Sequence, residues 1–525
     1  MNQRIVTVPD AVKLALEHYQ AGRMAEAEEL CVKILEIDPD NPDALHLSGV
    51  FAHLAGKQAF ALAMLEKSVR LAPENAQFHY NLGVVYGVLT RLEQAAQHYR
   101  EALSRQPEHV AALNNLGNAA LSLERYQEAR DCYERLLELN PDNAEAALSL
   151  GVALFNLREL EQATPWYERA LALKPDFQRA RWEYARLLLS RGEYARGWKH
   201  YEARFAGARE PGISCYPFPF PPWQGEPLEG KNILVHGEQG LGDEIMYASI
   251  LPEIIAAAGR CVIACQPHLA GLFAHSLPGA EVHGQLRYNE DAWIREPVQW
   301  LDQVGAIDFQ VPAGSLPLYR RRSAADFPDH RGYLVPPADK VAYWRGQFAA
   351  ALPAPGTLRV GLVWSSNPMP EHVFGARRAR NKSMNLATME PLVRIADVAY
   401  VSLQTWTAAA EAANPPKGME VLDRSAELED FTDTAAVVAN LDLVISVDTS
   451  VAHLAGALGK PVWILLPYVA DWRWLSDTEK NPWYPSARLF RQSRPGDWQQ
   501  VMERVAGELG RLQSTFAPDA FTARA

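Results

Sequence analysis

Cysteine is scarce in this sequence, and none of it falls at a spacing that holds a metal. The five cysteines stand at 31, 132, 215, 261 and 265, an odd number without a Cys-x-x-Cys pair. That pattern excludes a disulfide framework and a zinc knuckle, and leaves Cys261 and Cys265 as small core residues on one face of a strand. Long apolar runs are missing too. No stretch reaches membrane-spanning length, and the N-terminus lacks the uninterrupted apolar core of a secretion signal, so a cytoplasmic protein without a membrane span is expected. Positive charge is not in excess either. Lys plus Arg number 51 against 63 Asp plus Glu, a net charge of −12, which argues against nucleic acid as a partner and allows only a local basic patch. At 525 residues and 48% hydrophobic, the chain has material for several cores.

What the chain does have is repetition. Pro39, Pro73, Pro107, Pro141 and Pro175 recur every 34 residues. The same period runs through Gly49, Gly83, Gly117 and Gly151, through Ala27, Ala61, Ala95, Ala129 and Ala163, and through Tyr99, Tyr133 and Tyr167. Small residues at set positions let two helices approach, large ones fill the gap, and proline closes the second helix. Period and positions together resemble the tetratricopeptide repeat. Five repeats run from about Val8 to Phe177, and a degenerate pair over 178–206 caps the stack, so a solenoid is expected over 8–206. Its concave face suits a protein or peptide. Asn81, Asn114, Asn115 and Asn118 recur on first helices, either to hold an extended backbone or as solvated polar positions.

Proline, glycine and aromatic residues crowd 207–230, which reads as an extended linker packed on a surface. Short apolar runs then alternate with helical stretches. Strands are expected at 232–236, 261–265 and 307–311 in a first α/β half (231–338). A second half (339–512) has them at 359–364, 399–404, 441–447, 462–466 and 487–490, with a closing helix over 498–512. The tail 513–525 reads as disordered.

The stretch 441–467, LDLVISVDTSVAHLAGALGKPVWILLP, is a strand, a polar turn, a helix and a second strand. The turn lies at the carboxyl end of the first strand, where open α/β sheets place ligands and where free N–H groups at a helix start attract phosphate. Asp448, Thr449, Ser450 and His453 surround that start, with Asp448 also suited to capping it. A second such loop, Gly237-Glu-Gln-Gly-Leu-Gly-Asp243, follows the first strand of the other half. Its Gly240 and Gly242 let backbone approach a ligand or make the turn, and Glu238 and Asp243 supply carboxylates. A third loop, 367–383, carries Arg377, Arg378, Arg380 and Lys382 in an otherwise acidic chain.

Several of these pieces match one family together. Glu238–Asp243, Val360–Trp364, Ser402–Gln404, Asp448–His453, Asp471–Trp474 and Pro482–Pro485 resemble the bacterial lipopolysaccharide heptosyltransferases, and more closely their tetratricopeptide-fused branch. The layout is also similar to O-GlcNAc transferases and flagellin-modifying transferases. The resemblance implies an α + α/β chain, a solenoid followed by a GT-B fold of two Rossmann-like domains. It implies sugar transfer from a nucleotide sugar, inverting, without metal or other cofactor. The acceptor is a protein hydroxyl, flagellin among them; the alternatives are a glycan or lipid acceptor, or a scaffold that binds nucleotide sugar without reacting. Asp243 matches the catalytic base, against a simple helix cap, with Glu238 as competitor. Thr449, Ser450 and His453 match the donor diphosphate site, with the imidazole, protonated or hydrogen-bonding, steadying the leaving phosphate. Lys382 stands where that branch more often has arginine. Ser365 and Ser366 are phosphate contacts, Gln404 a nucleotide contact, and Asp471–Trp474 and Trp483-Tyr484 structural.

Overall fold

The computed structural model describes residues 7–207, 217–285, 300–329, 331–352, 356–367 and 376–516, with backbone alone for 376–378. They divide into two compact units, 1–180 and 181–525.

The first unit is a stack of helix pairs from Val8–Gln20 to Leu160–Leu173. The second helix of each pair ends at Ile37, Leu71, Arg105, Leu139 or Leu173, and its proline follows. The glycine period has a direct steric cause. A Cβ on Gly49 would lie 2.7 Å from Leu65, and those on Gly83 and Gly117 would lie 2.7 Å from the rings of Tyr99 and Tyr133. First helices are capped by Asn41, Asn75, His109 and Asn143, whose side chains accept first-turn N–H groups. The asparagines of the middle repeats already have partners within the stack. Asn81 Nδ2 lies 2.7 Å from His46 Nε2, Asn114 donates to Asn115, and Asn118 accepts from the Tyr133 hydroxyl at 3.0 Å.

The second unit holds two separate, wholly parallel sheets. The first contains β1 (Asn232–His236), β2 (Arg260–Cys265), β3 (Ala280–Gly284) and β4 (Phe309–Pro312), in the order β3-β2-β1-β4. The second contains β5 (Leu358–Val363), β6 (Val398–Ser402), β7 (Val421–Asp423), β8 (Leu443–Val447), β9 (Val462–Leu466) and β10 (Ala487–Arg491), in the order β10-β9-β8-β5-β6-β7. The apolar runs expected to be strands all pair, each within two residues of the expected bounds. β3 and β7, on sheet edges, are additional. The part of the linker that is described does pack: Gln310 of β4 exchanges backbone hydrogen bonds with Pro221 and Trp223. Residues 208–216 and 517–525, with Cys215 and most of the expected tail, lie outside the described residues.

The two sheets share one core. The Leu241–Tyr247 helix of the first half packs on the Ser450–Ala457 helix of the second, and the Pro267–Ser276 helix on the Phe431–Ala439 helix. The expected capping pair, 178–206, falls across the division between the units. The units part at Ala180, and Trp182, Tyr194, Trp198 and Tyr201 bury their rings in the core of the second unit. Large aromatics bury much apolar area per residue, which suits them to that core.

Candidate active site

In both sheets the strand order reverses beside the first strand of the half, at β1 between β2 and β4 and at β5 next to β8. Open α/β sheets form a crevice at the carboxyl ends of strands where that happens. The loops there are 237–243 after β1, 364–367 after β5 and 448–450 after β8; the sequence singles out the first and third, and of its basic loop 367–383 residues 368–375 lie outside the described residues. The helix packing described above brings the first and third together. A Cβ on Gly242 would sit 2.7 Å from the His453 ring, so only glycine lets these helix starts touch.

Asp243 fills the capping role expected of it, and its second oxygen has a partner of its own. It is the third residue of its helix, and its Oδ2 accepts the Gly240 N–H at 3.1 Å. Its Oδ1 accepts from Arg473 Nη2, reaching across from the other half. Arg473 Nη1 lies 3.1 Å from Asp471, and Arg473 Nε is buried without a partner. The pair is not sealed: the Asp243 and Arg473 side chains keep 18% and 11% of their exposure. Burial works against the guanidinium's charge, but Asp243 and Asp448 outweigh it and raise its pKa further.

His453 is buried, and burial, reinforced by the Arg473 charge, pushes it down to about 4. The ring is therefore neutral near pH 7. Its Nδ1 lies 2.8 Å from the Tyr484 hydroxyl, Tyr484 bonds to Tyr333, and Tyr333 donates to the Ile245 carbonyl at 2.8 Å. That chain of donors puts the proton on Nδ1 and leaves Nε2 an acceptor, 3.8 Å from Asp448 Oδ1. In that tautomer Nδ1 is engaged by Tyr484 and Nε2 is the ring atom left facing the turn. Thr449, not Asp448, is the N-cap of the Ser450–Ala457 helix, and makes no capping hydrogen bond; its hydroxyl pairs with Ser446 at 3.0 Å. Asp448 instead stands 3.7 Å from Lys382 Nζ.

Other residues expected as contacts have hydrogen-bond partners within the protein. Glu238 is buried in a bidentate pair with Arg204, at 2.8 and 2.7 Å, so neither oxygen is open to an acceptor hydroxyl. Gln404 brackets two loops. Its Oε1 accepts from Trp364 and Ser365 N–H, and its Nε2 donates to the Ser365 and Thr405 carbonyls. All its amide hydrogens are engaged. Ser366 Oγ donates to Ala379 and pairs with Ser383, while Ser365 Oγ donates to the Ser366 carbonyl at 3.0 Å. Gly240 and Gly242 have negative φ; they serve packing and the cap, not a left-handed turn. The side chains of Arg377 and Arg378 lie outside the described residues.

Arg473, Arg204, Tyr201 and Tyr247 are the residues that reading the sequence passes over. The Tyr201 and Tyr247 hydroxyls pair at 2.9 Å, and Gln239 donates to Tyr201. A signal for Arg473 exists in the sequence: it is a cation between two tryptophans, in a segment otherwise read as structural.

Three family models match this chain. Two describe tetratricopeptide repeats, over residues 74–142 and 115–176. The third describes glycosyltransferase family 9 (heptosyltransferase), over 426–494, which contains the Asp448–His453 turn and Arg473. Tetratricopeptide repeats and a glycosyltransferase family 9 segment stand in one chain. Protein FlbA of Caulobacter vibrioides is 33% identical over 338 residues, 62% of this chain and 54% of FlbA, so the chain spans about half of that relative's length. Among solved structures, MamA is 21% identical with a TM-score of 0.29, over 32% of this chain and 92% of its own. YrrB, described as a tetratricopeptide protein with an unusual peptide-binding site, is 21% identical with a TM-score of 0.31, over 34% of this chain and 92% of its own. Among the described residues no helix is long and apolar enough to cross a membrane.

Proposed function

We propose that the chain transfers a sugar from a nucleotide donor to a hydroxyl of a protein acceptor chosen by the repeats, with the second unit working as an inverting GT-B transferase. The observation that carries this reading is the meeting of two switch-point loops, Asp243 on one and the Asp448–Ser450 helix start on the other, in a chain with a family 9 match. Asp243 takes the proton of the acceptor hydroxyl. The acceptor oxygen bonds to the anomeric carbon as the bond from that carbon to the donor phosphate breaks, and the electron pair leaves with the nucleoside diphosphate. The first-turn N–H groups at Ser450, with Lys382 and Arg473, supply positive charge for that diphosphate, so no divalent metal is needed.

The test is a panel of nucleotide sugars with intact-mass detection on acceptor proteins, flagellin included, run with and without EDTA. A single mass increment on a protein, unaffected by EDTA, is expected. Asp243→Asn should lower that turnover by about 10²–10⁴-fold. Transfer only to a glycan or lipid, or none with any donor, overturns the reading.

A further inference from the structure

The Asp243–Arg473 pair presents a difficulty for any reaction in which Asp243 accepts a proton. A carboxylate with Oδ2 on a backbone N–H and Oδ1 on a guanidinium has its best lone pairs occupied. A guanidinium facing Asp243, with Asp471 on its other nitrogen, is in turn unavailable to an anionic ligand. The same arrangement contains the means of release. Arg473 has a third nitrogen, Nε, buried and without a partner, so its hydrogen-bonding capacity is not filled by the two carboxylates. Its backbone is held independently of the ion pair, because Asn481 Nδ2 donates to the Arg473 carbonyl at 2.6 Å and Arg473 N donates to Asp471. Only the side chain needs to move. The Asp243 helix and the Arg473 turn belong to different halves, so the contact that must break is the one between them.

We propose that Arg473 is an exchangeable counter-ion: it holds Asp243 in the empty site, passes to the donor's diphosphate on binding, and so frees Asp243 to take the acceptor's proton. This rests on the transferase reading above and adds to it an order of events, donor before proton transfer. A diphosphate carries more charge than one carboxylate and offers oxygens to two nitrogens of the planar guanidinium at once, so it competes well for Arg473. Asp471 stays with Arg473 throughout and keeps it near the β8 turn. Before the donor arrives, both Asp243 oxygens are engaged, which guards the site against transfer chemistry with no donor in place.

Exchange has a signature that a merely structural salt bridge lacks: removing the carboxylate should make the anion bind better. The probe is inorganic pyrophosphate, titrated calorimetrically into the full chain. Asp243→Asn, which keeps an oxygen for the Gly240 N–H, should bind it about five-fold more tightly than wild type, the upper scale of one partly exposed ion pair. Arg473→Gln should bind it at least about ten-fold more weakly. Asp243→Ser, which retains capping ability, repeats the first measurement should the asparagine variant fold poorly. Equal or weaker binding in the Asp243 variants, or no pyrophosphate binding in any of the proteins, overturns the exchange. Failure of the transferase reading is seen separately, as absence of turnover with every donor, because the pyrophosphate titration needs no reaction.

Discussion

At the scale of single residues the site is defined by which groups are already occupied. Glu238, Gln404 and Ser366 look like ligand-binding residues in a sequence, yet their polar atoms brace the loops that carry Asp243 and the β5 turn. His453 is the clearest case. Its folded pKa of about 4 lies below the ordinary histidine value, so the unfolded chain binds a proton more readily. The contribution to stability is complete above pH 6.5 and is lost as the pH falls from there toward 4, to the extent of ~3 kcal/mol. Nitrogen-detected magnetic resonance should find the ring neutral and protonated on Nδ1 at pH 5.5, and His453→Gln should flatten the dependence of the melting temperature on pH in that window. A ring already charged at pH 6 would contradict the donor chain through Tyr484 and Tyr333.

At the scale of elements, the repeats show what a period can hide. Each turn between paired helices places one residue at positive φ: Gly22 at 73°, Gly56 at 75°, Thr90 at 57°, Glu124 at 59° and Arg158 at 64°. The first two are glycine and the next three are not. A side chain in the left-handed region costs about 1–2 kcal/mol, less what glycine loses in unfolded-state entropy. A Cβ on Gly22 or Gly56 would meet nothing within 4 Å, so the strain at these turns is in the backbone alone. Thr90→Gly should therefore stabilise the repeats by ~0.5–1 kcal/mol, read as a higher urea midpoint by far-ultraviolet circular dichroism. A lower midpoint would mean that the hydrogen bond from the Thr90 hydroxyl to the Leu89 carbonyl is worth more than the strain.

For the whole molecule, the boundary between units decides which truncations survive. The Tyr194–Tyr201 helix is part of the second unit's core. Trp198 donates to the Arg321 carbonyl at 2.7 Å and meets the Trp472 and Trp483 rings edge-on, at 5.3 and 6.4 Å. Arg204, fully buried, would leave Glu238 an uncompensated buried charge if removed, a change that typically costs ~3–5 kcal/mol. A fragment of residues 177–525 should fold, melt cooperatively and bind pyrophosphate, while 207–525, which obeys the sequence boundary, should be insoluble or unfolded. Equal melting temperatures for the two fragments would show that residues 181–206 are dispensable to the second unit. The longer fragment should also lose modification of the protein acceptor if the repeats select it.

The sequence by itself determined whatever is local or periodic. A 34-residue period is enough to specify helix pairs, because each glycine answers to the large residue of its own repeat, Gly83 to Tyr99 and Gly117 to Tyr133. Apolar runs are enough to specify buried strands such as β8 and β9, and polar turns after them mark where ligands go. The edge strands β3 and β7 escaped notice because half-buried edges carry no continuous apolar run. What only the tertiary structure decided is how distant charges pair. Arg473 and Asp243 are 230 positions apart, and Arg204 and Glu238 are separated by a linker and a strand. A carboxylate reads the same in a sequence whether it faces solvent, a backbone amide or a buried guanidinium, because its environment is made by elements that meet only when both sheets have formed. For the same reason the last helix pair looks like a repeat by its position, while its aromatic side chains belong to the core they fill.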